Sequence, residues 1–137
     1  MVKRIRLQPD WPYSKNASFS QGVMVGQTIY VAGQAALDAN GKIVGVGDMK
    51  AQARQTFANV AAVLKEAGGT LDDIVKITTY ITDISNYADY AAVRKETFTN
   101  HLPASATVAS PALVFPELLI EIEAIAVKGS GAGRAKR

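Results

Sequence analysis

Short apolar stretches recur along the chain, and most of them alternate with polar residues or are rich in β-branched side chains. Both patterns are typical of β-strands. Three of the stretches lie before residue 34 and three lie after residue 71. Six segments are therefore predicted to be strands: residues 2–8, 22–26, 28–33, 72–83, 105–110 and 118–127.

Two tight turns are predicted near the early strands. Gln27-Thr28 lies where the second strand gives way to the third and is a candidate for the first turn. Asn40-Gly41 is the stronger signal, since this pair favours positive φ at both central positions of a two-residue hairpin turn.

After the second turn, the apolar residues are spaced as in a helix. Asp48 is the predicted N-cap of this first helix, and Gly68-Gly69 is the predicted C-terminal stop. Between them, apolar residues recur three and four positions apart, which predicts one buried face. That face is predicted to comprise Ala53, Phe57, Val60, Ala61 and Leu64.

A second helix is predicted from a cap at Ser85 or Asn86 to about Asn100, with Pro103 following its end. Its inner face is predicted from the same kind of spacing. The residues of that face are Tyr87, Tyr90, Ala91, Arg94 and Phe98.

The order β-β-β-α-β-α-β-β is not the strict alternation of a doubly wound parallel sheet. It predicts an α+β fold, with one six-stranded mixed sheet and both helices on one face. The other sheet face is then left uncovered and is predicted to be rich in Val, Ile and Ala. Because an uncovered apolar face is typical of an interface, a homo-oligomer is expected.

Composition narrows the class of protein. The 137 residues suit a single domain, predicted over residues 1–128, and the chain has no cysteine for a disulfide or thiolate metal site. The net charge of +3 comes from three basic residues in a Gly-rich tail at 129–137, predicted to be flexible, so nucleic-acid binding is not expected. Without a signal peptide or a membrane-length apolar run, a cytoplasmic protein is expected.

Seven segments between residues 18 and 128 together resemble the Rid family, the reactive intermediate deaminases of the YjgF type. Each segment is weak alone, but all seven occur in order and at the right spacing. They are residues 31–34 (VAGQ), 51–56 (AQARQT), 64–69 (LKEAGG), 73–76 (DIVK), 80–83 (YITD), 103–104 (PA) and 120–127 (IEIEAIAV).

The resemblance implies a fold like that of small chorismate mutases, assembled as a homotrimer with ligand clefts between neighbouring subunits. It also implies an activity that needs no cofactor or metal. Members of the family hydrolyse reactive imines and enamines to a carbonyl compound and ammonia. An arginine clamps the substrate carboxylate, and a glutamate on the last strand positions the water.

The family's glutamate is retained as Glu121, which is the predicted catalytic residue. Glu123 lies on the same face of a strand, and two close carboxylates raise the pKa of one of them. The alternative is that one or both are solvated or ion-paired; we favour function for Glu121 and structure for Glu123.

The family's arginine is not retained, because Ser105 stands at its position and offers one hydroxyl donor and no charge. Other positions differ as well: Phe19 replaces a tyrosine, Ala32 a serine, Ala91 an asparagine and Thr107 a frequent cysteine. The chain is therefore interpreted as a divergent member. The resemblance carries substrate binding to Phe19, Ala32, Gly33, Ala91, Ser105 and Thr107.

Three further side chains have competing interpretations. Arg94 is a candidate replacement cation, although a surface arginine whose stem covers apolar residues is the favoured reading. Arg54 is interpreted as part of a structural ion pair. His101 is the only histidine and is favoured as a capping or surface group, since one histidine cannot supply both acid and base for a metal-free ribonuclease.

Three hypotheses follow. The first is a cofactor-independent hydrolytic deaminase of small imines or enamines, in which Glu121 positions water and the substrate depends less on a carboxylate. Ser105, Thr107 and the backbone at Gly33 and Thr107 orient that substrate. The second is a non-catalytic small-molecule binder that uses the same intersubunit clefts. The third is an RNA-acting protein, which rests on the basic tail alone.

Overall fold

The computed structural model describes residues 2–136 and has the predicted order of strands and helices. Short 3₁₀ turns lie at Pro12–Ser14, Leu71–Asp73 and Ile84–Asn86. The main elements are β1 (Arg4–Leu7), β2 (Gly22–Val25), β3 (Thr28–Ala35), α1 (Met49–Lys65), β4 (Ile74–Ile81), α2 (Tyr87–Thr97), β5 (Ala104–Ala109) and β6 (Ile120–Val127).

All six strands form one mixed sheet in the order β1-β2-β3-β6-β4-β5. Neighbouring strands are antiparallel except for β4 and β5, which are parallel and joined through α2, the kind of crossover that parallel neighbours need. The last strand, β6, lies between β3 and β4 and joins the two halves of the sheet. Both helices cover one sheet face, and the predicted fold class is confirmed.

The two turns differ in detail from their predictions. Val25 pairs with Thr28, so the turn between β2 and β3 is Gly26-Gln27, with Gly26 at a φ of 58°. At the second turn, Gly41 has a φ of 79°, but no non-glycine residue between 2 and 136 has positive φ. Asp38 explains the difference, because its carboxylate accepts the N–H groups of Asn40 and Lys42 and holds an Asx-type turn.

Helix α1 begins and ends as predicted. The Asp48 carboxylate accepts the N–H of Ala51 at 3.0 Å, and Gly68 ends the helix region at a φ of 75°. Four of the five predicted core residues are buried, whereas Ala61 is half-buried at the edge of the face. Phe57 is central, since its ring meets that of Phe98 edge-on at 5.4 Å.

Replacing Asp48 by alanine should lower the free energy of unfolding by about 1 kcal/mol, since an orphan N–H at the helix start loses its partner. Urea unfolding followed by circular dichroism measures this loss. Asp10→Ala is the matched control, since Asp10 is exposed and makes no side-chain hydrogen bond within residues 2–136. Equal losses in the two variants would contradict the capping role.

The predicted inner face of α2 needs correction. Tyr87 is exposed, and Ala91 and Arg94 are half-buried, whereas Tyr90, Val93 and Phe98 are buried. The hydroxyl of Tyr90 shares a hydrogen bond of 2.6 Å with Thr79 of β4, which fixes the rotation of the helix about its axis. The helix also ends earlier than predicted, at Thr97, where the chain becomes extended.

The sheet face away from the helices is only in part the apolar surface that was predicted. Tyr30 and Val108 are exposed there, but Lys76 and Glu123 lie among them. The hydroxyl of Tyr80 donates to the carboxylate of Glu123 at 2.5 Å. This face is thus polar as well as apolar, and the homo-oligomer stays a prediction.

The Gly-rich tail follows β6 back along the body of the domain. The N–H of Gly131 donates to Asp73, and the N–H of Ala135 donates to the side chain of Asn100. How freely this segment moves stays a prediction. Within residues 2–136 the helices are all too short or too polar to span a bilayer.

Candidate functional site

Glu121 belongs to the set of residues in β6 that alternate with the buried ones. Its neighbours Ile120 and Ile122 are buried under the helices, so the glutamate points to the opposite face of the sheet. On its two sides, β6 pairs Glu121 with Ala35 of β3 and Tyr80 of β4. The backbone of Glu121 is therefore held on both sides by neighbouring strands of the sheet.

Gly33 leaves the space that this side chain needs. The pairing of β3 with β6 shifts between Val31 and Gln34, and Gly33 lies in the irregular part. A Cβ atom on Gly33 would overlap the Glu121 carboxylate, whose Oε2 atom lies against the glycine. A larger residue at position 33 would force the Glu121 side chain to move, so the glycine permits this position of the carboxylate.

The carboxylate of Glu121 opens into a cavity of about 680 Å³, which we call the glutamate pocket. Phe19 and Val114 at its rim are 56% and 72% exposed, an unusual exposure for large apolar side chains. Deeper in the pocket, the Gln34 side chain is held by Gln21 at 2.8 Å. The lining also includes Tyr13, Ala32, Gly33, Leu37, Asn40 and Phe115.

The two carboxylates of β6 differ in their surroundings. Burial raises the pKa of Glu121, and the nearby charge of Glu123 raises it further. Glu123 accepts a hydrogen bond from Tyr80, and this bond is the main reason that the pKa of Tyr80 is raised. Glu121 has no side-chain hydrogen bond within residues 2–136, so its oxygens are available to a water molecule or a ligand.

The raised pKa of Glu121 predicts a pH-dependent effect of Glu121→Gln on stability. A carboxyl group whose folded-state pKa is raised stabilises the fold below its unfolded pKa, and this contribution is lost as the pH rises through the folded-state value. Glutamine resembles the protonated form at every pH. The variant should therefore unfold at higher urea than wild type at pH 8 and at equal urea near pH 4.

Glu66→Gln, on the exposed end of α1, is the control for this comparison. It should give the same small difference from wild type at both pH values. A Glu121→Gln variant that is less stable than wild type at pH 8 would contradict the assignment of burial as the cause.

A second cavity, of about 850 Å³, lies between α2 and β5, and we call it the arginine pocket. Four of the residues predicted for the site meet here: Ala91, Arg94, Ser105 and Thr107. Ser105 and Thr107 are two positions apart on β5 and therefore share the strand face towards α2. The remaining lining residues are Ile84, Tyr87, Lys95, Phe98, Leu102 and Pro103.

Arg94 is half-buried and lines this pocket, with its guanidinium group beside two tyrosine rings. This group donates to the hydroxyl of Tyr87 at 2.9 Å and to Ser105 Oγ at 3.4 Å. Its carbon atom lies 5.6 Å and 5.1 Å from the ring centres of Tyr87 and Tyr90. Burial lowers the pKa of Arg94, but the bonds and charge interactions with these tyrosines outweigh burial and raise it.

Within one chain the predicted site residues thus form two groups. Phe19, Ala32, Gly33 and Glu121 line the glutamate pocket, and the other four line the arginine pocket. The two pockets share no lining residue. Neither pocket of one chain therefore contains all eight predicted residues.

Sequence reasoning missed several lining residues. Val114 and Phe115 belong to an apolar run between Pro111 and Pro116, and an exposed apolar run between two prolines was a usable signal. Tyr87 was assigned to the core face of α2 and instead lines the arginine pocket. Gln34 was noted only as part of the VAGQ segment, and Gln21 gave no signal, since buried glutamines are recognised by partners that are distant in sequence.

Two other side chains lie outside both pockets. Arg54 and Glu96 form the predicted ion pair at 2.9 Å, although both are exposed, so the pair adds little stability. The ring of His101 lies 3.1 Å from the backbone oxygen of Gly133 in the tail. Among residues 2–136, no three potential metal ligands come together.

Comparison with known proteins agrees with the fold. Residues 12–128 match a family model described as Endoribonuclease L-PSP. A RutC family protein of Pyrococcus abyssi is 39% identical over 110 residues, which cover 80% of this chain and 86% of the relative. The 2-iminobutanoate/2-iminopropanoate deaminase of Rattus norvegicus is 37% identical over 112 residues, covering 82% and 81%.

Solved structures give the same result. A Rid family protein from Yersinia pestis, YyfA, matches with a TM-score of 0.84 and 32% identity, over 91% of this chain and 99% of that one. The YjgF gene product of E. coli matches with a TM-score of 0.81 and 33% identity, over 90% and 98%. With the motifs in order, the sheet in the expected topology and relatives matched over most of their length, the chain belongs to the Rid family of the YjgF type.

Proposed function

We propose that this protein is a cofactor-independent hydrolytic deaminase of small imines or enamines, with Glu121 as the catalytic residue. One observation carries the proposal: the Glu121 carboxylate faces a cavity, is half-buried and has no hydrogen-bond partner within residues 2–136. Its relatives include deaminases that act on 2-imino acids, as their names state.

Imine hydrolysis needs a water molecule and a group that moves protons between oxygen and nitrogen. Water adds to the carbon of the C=N bond, and its proton passes through the Glu121 carboxylate to the nitrogen. The resulting carbinolamine carries one hydroxyl and one amino group. When it collapses, the C–N bond breaks, the hydroxyl proton moves to nitrogen, and ammonia leaves behind a C=O bond.

The raised pKa of Glu121 suits this exchange. A general acid and base works best when its pKa is near the operating pH, since both protonation states are then accessible. Burial beside Phe19 and Phe115 moves the carboxyl group in that direction.

The active cleft is proposed to lie between copies of the chain, assembled as a homotrimer. The division of the predicted residues between two separate pockets supports this arrangement, because each pocket alone holds only half of them. The sheet face with Tyr30, Val108 and Ile125 supports it as well, since it offers aromatic and aliphatic surface for contact with another copy.

The test is ammonia release from a panel of imines generated in place, with the protein present or absent. An amino-acid oxidase supplies the 2-imino acids, and an amine oxidase supplies the imines without a carboxylate. The proposed function requires release faster than in buffer for at least one imine class. The panel should contain imines with and without a carboxylate. Rates equal to buffer for every imine would reject the deaminase.

A non-catalytic binder is the second candidate, and the observation that favours it is Ser105 at the position of the family's arginine. Such a protein would show a ligand-dependent rise in Tm with its preferred small molecule and no turnover in the ammonia assay. Turnover by wild type above buffer would exclude this candidate.

A further inference from the structure

Arg94 is a cation without a matching anion. Within residues 2–136, the only ion pair with nitrogen and oxygen atoms closer than 4 Å joins Arg54 to Glu96. The two side-chain hydrogen-bond partners of Arg94 are the hydroxyl groups of Tyr87 and Ser105, and neither is a carboxylate. A partly buried guanidinium that meets only hydroxyls retains donors for an acidic ligand.

The surroundings hold this guanidinium group in place. Tyr87 and Tyr90 lie beside it at distances suited to cation–π attraction, and their rings stand at 70° to each other. Tyr90 is itself fixed by its hydrogen bond to Thr79 in the core. The planar group therefore loses little conformational entropy when a ligand binds, as a preorganised site requires.

The charge of the arginine pocket has a single sign. Lys95 is the second charged residue in its lining, and no aspartate or glutamate lines it. The cavity of about 850 Å³ has the size of a small-molecule site. Ile84, Phe98 and Leu102 add apolar surface to its walls, as is usual for a ligand site.

We propose that Arg94, assisted by Ser105, binds the carboxylate of a small carboxylate-bearing substrate in the arginine pocket. The inference deepens the proposed function and rests on it for the identity of the ligand as an imino acid. It also changes the expectation that the substrate depends less on a carboxylate. The family's arginine on strand β5 is replaced by Ser105, and Arg94 of helix α2 places its guanidinium group beside that serine.

The fork of a guanidinium group matches the two oxygens of a carboxylate, and phosphate has the same kind of oxygens. A carboxylate is favoured here because a C=N group next to a carboxylate is the substrate type of deaminases among the relatives. The experiment therefore includes inorganic phosphate as a separate probe.

The test is calorimetric titration of the full-length protein with pyruvate, with its neutral amide pyruvamide, and with inorganic phosphate. Arg94→Met removes the charge and keeps most of the side-chain volume. It should weaken pyruvate binding by about 10- to 100-fold, the effect of losing charge-assisted hydrogen bonds, and leave pyruvamide binding unchanged. Arg54→Met, which removes an exposed arginine from α1, should bind pyruvate as wild type does.

A second variant keeps the proposal falsifiable if Arg94→Met is perturbed. Arg94→Met combined with Ser105→Arg returns a guanidinium group to the pocket from the strand side, and it should recover pyruvate binding. Equal pyruvate affinity in wild type and Arg94→Met would overturn the proposal. So would tighter binding of phosphate or pyruvamide than of pyruvate by wild type, or no pyruvate binding at all.

The oligomeric state of Arg94→Met distinguishes the remaining alternative, in which an acidic residue of a second copy neutralises Arg94. Light scattering should give the wild-type mass, and a smaller mass would overturn the proposal.

Failure of the proposed function looks different: Arg94-dependent pyruvate binding without ammonia release rejects only the deaminase. Ammonia release that depends on Glu121 but is unchanged in Arg94→Met rejects only the anion site.

Discussion

Replacing Glu121 by glutamine should lower the rate of ammonia release by about 10²- to 10⁴-fold, the usual contribution of a positioned general acid and base. Glutamine keeps the size and shape of the side chain but cannot exchange a proton. Because glutamine has the same size, the contact with Gly33 and the volume of the glutamate pocket should not change. Steady-state ammonia release with the best imine of the panel measures the effect.

The form of the loss is as informative as its size. An effect on kcat with little change in KM indicates that Glu121 acts in the chemical step rather than in binding. Glu66→Gln removes an exposed carboxylate from the opposite side of the chain and should keep the wild-type rate. A Glu121→Gln rate within threefold of wild type would leave the deaminase without its proposed catalytic residue.

Mixing two inactive variants should restore activity if the cleft lies between copies of the chain. Glu121→Gln disables the glutamate pocket, and Ala91→Trp fills the arginine pocket with a bulky side chain. Each variant alone has no intact cleft. In a closed ring of three that contains both variants, about a third of the clefts combine two unaltered halves.

Co-expression of the two variants with different affinity tags, followed by purification on both, gives the mixed assemblies. The double variant Glu121→Gln/Ala91→Trp, co-expressed with Glu66→Gln, is the matched control, and about a sixth of the clefts in its mixed trimers should be intact. If both half-sites belonged to one chain, the first mixture would be inactive and the control would keep about half. That result would refute the shared cleft.

The sequence predicted the backbone of the fold well because the signals were local. Asp48 caps α1 by accepting the N–H of Ala51, three residues away, and Gly68 ends the helix region because it adopts a positive φ. Along β6, buried residues alternate with more exposed ones. That alternation also put Glu121 and Glu123 on the same face of the strand, as predicted. These features depend on neighbours within a few residues of each other, which a linear pattern records.

The cleft side of α2 could not be predicted in the same way. Apolar spacing assigned Tyr87 and Arg94 to the core because it cannot tell a buried aromatic ring from one that lines a cavity. The rotation of α2 is set by Tyr90 against Thr79, and the place of Ser105 is set by its pairing opposite Ile77. Both contacts join different elements of the fold, so helical spacing alone does not record them.

The central place of β6 has a consequence for the synthesis of the protein. A ribosome delivers β1, β2 and β3 first, then β4 and β5, and these two groups meet only through the strand that emerges last. Until then, β3 and β4 each present an unpaired edge, the kind of surface that recruits other chains into aggregates. A product that stops before Ile120 therefore lacks the carboxylate and keeps both edges open. Quality control that removes such fragments would protect the cell from aggregation as well as from an inactive protein.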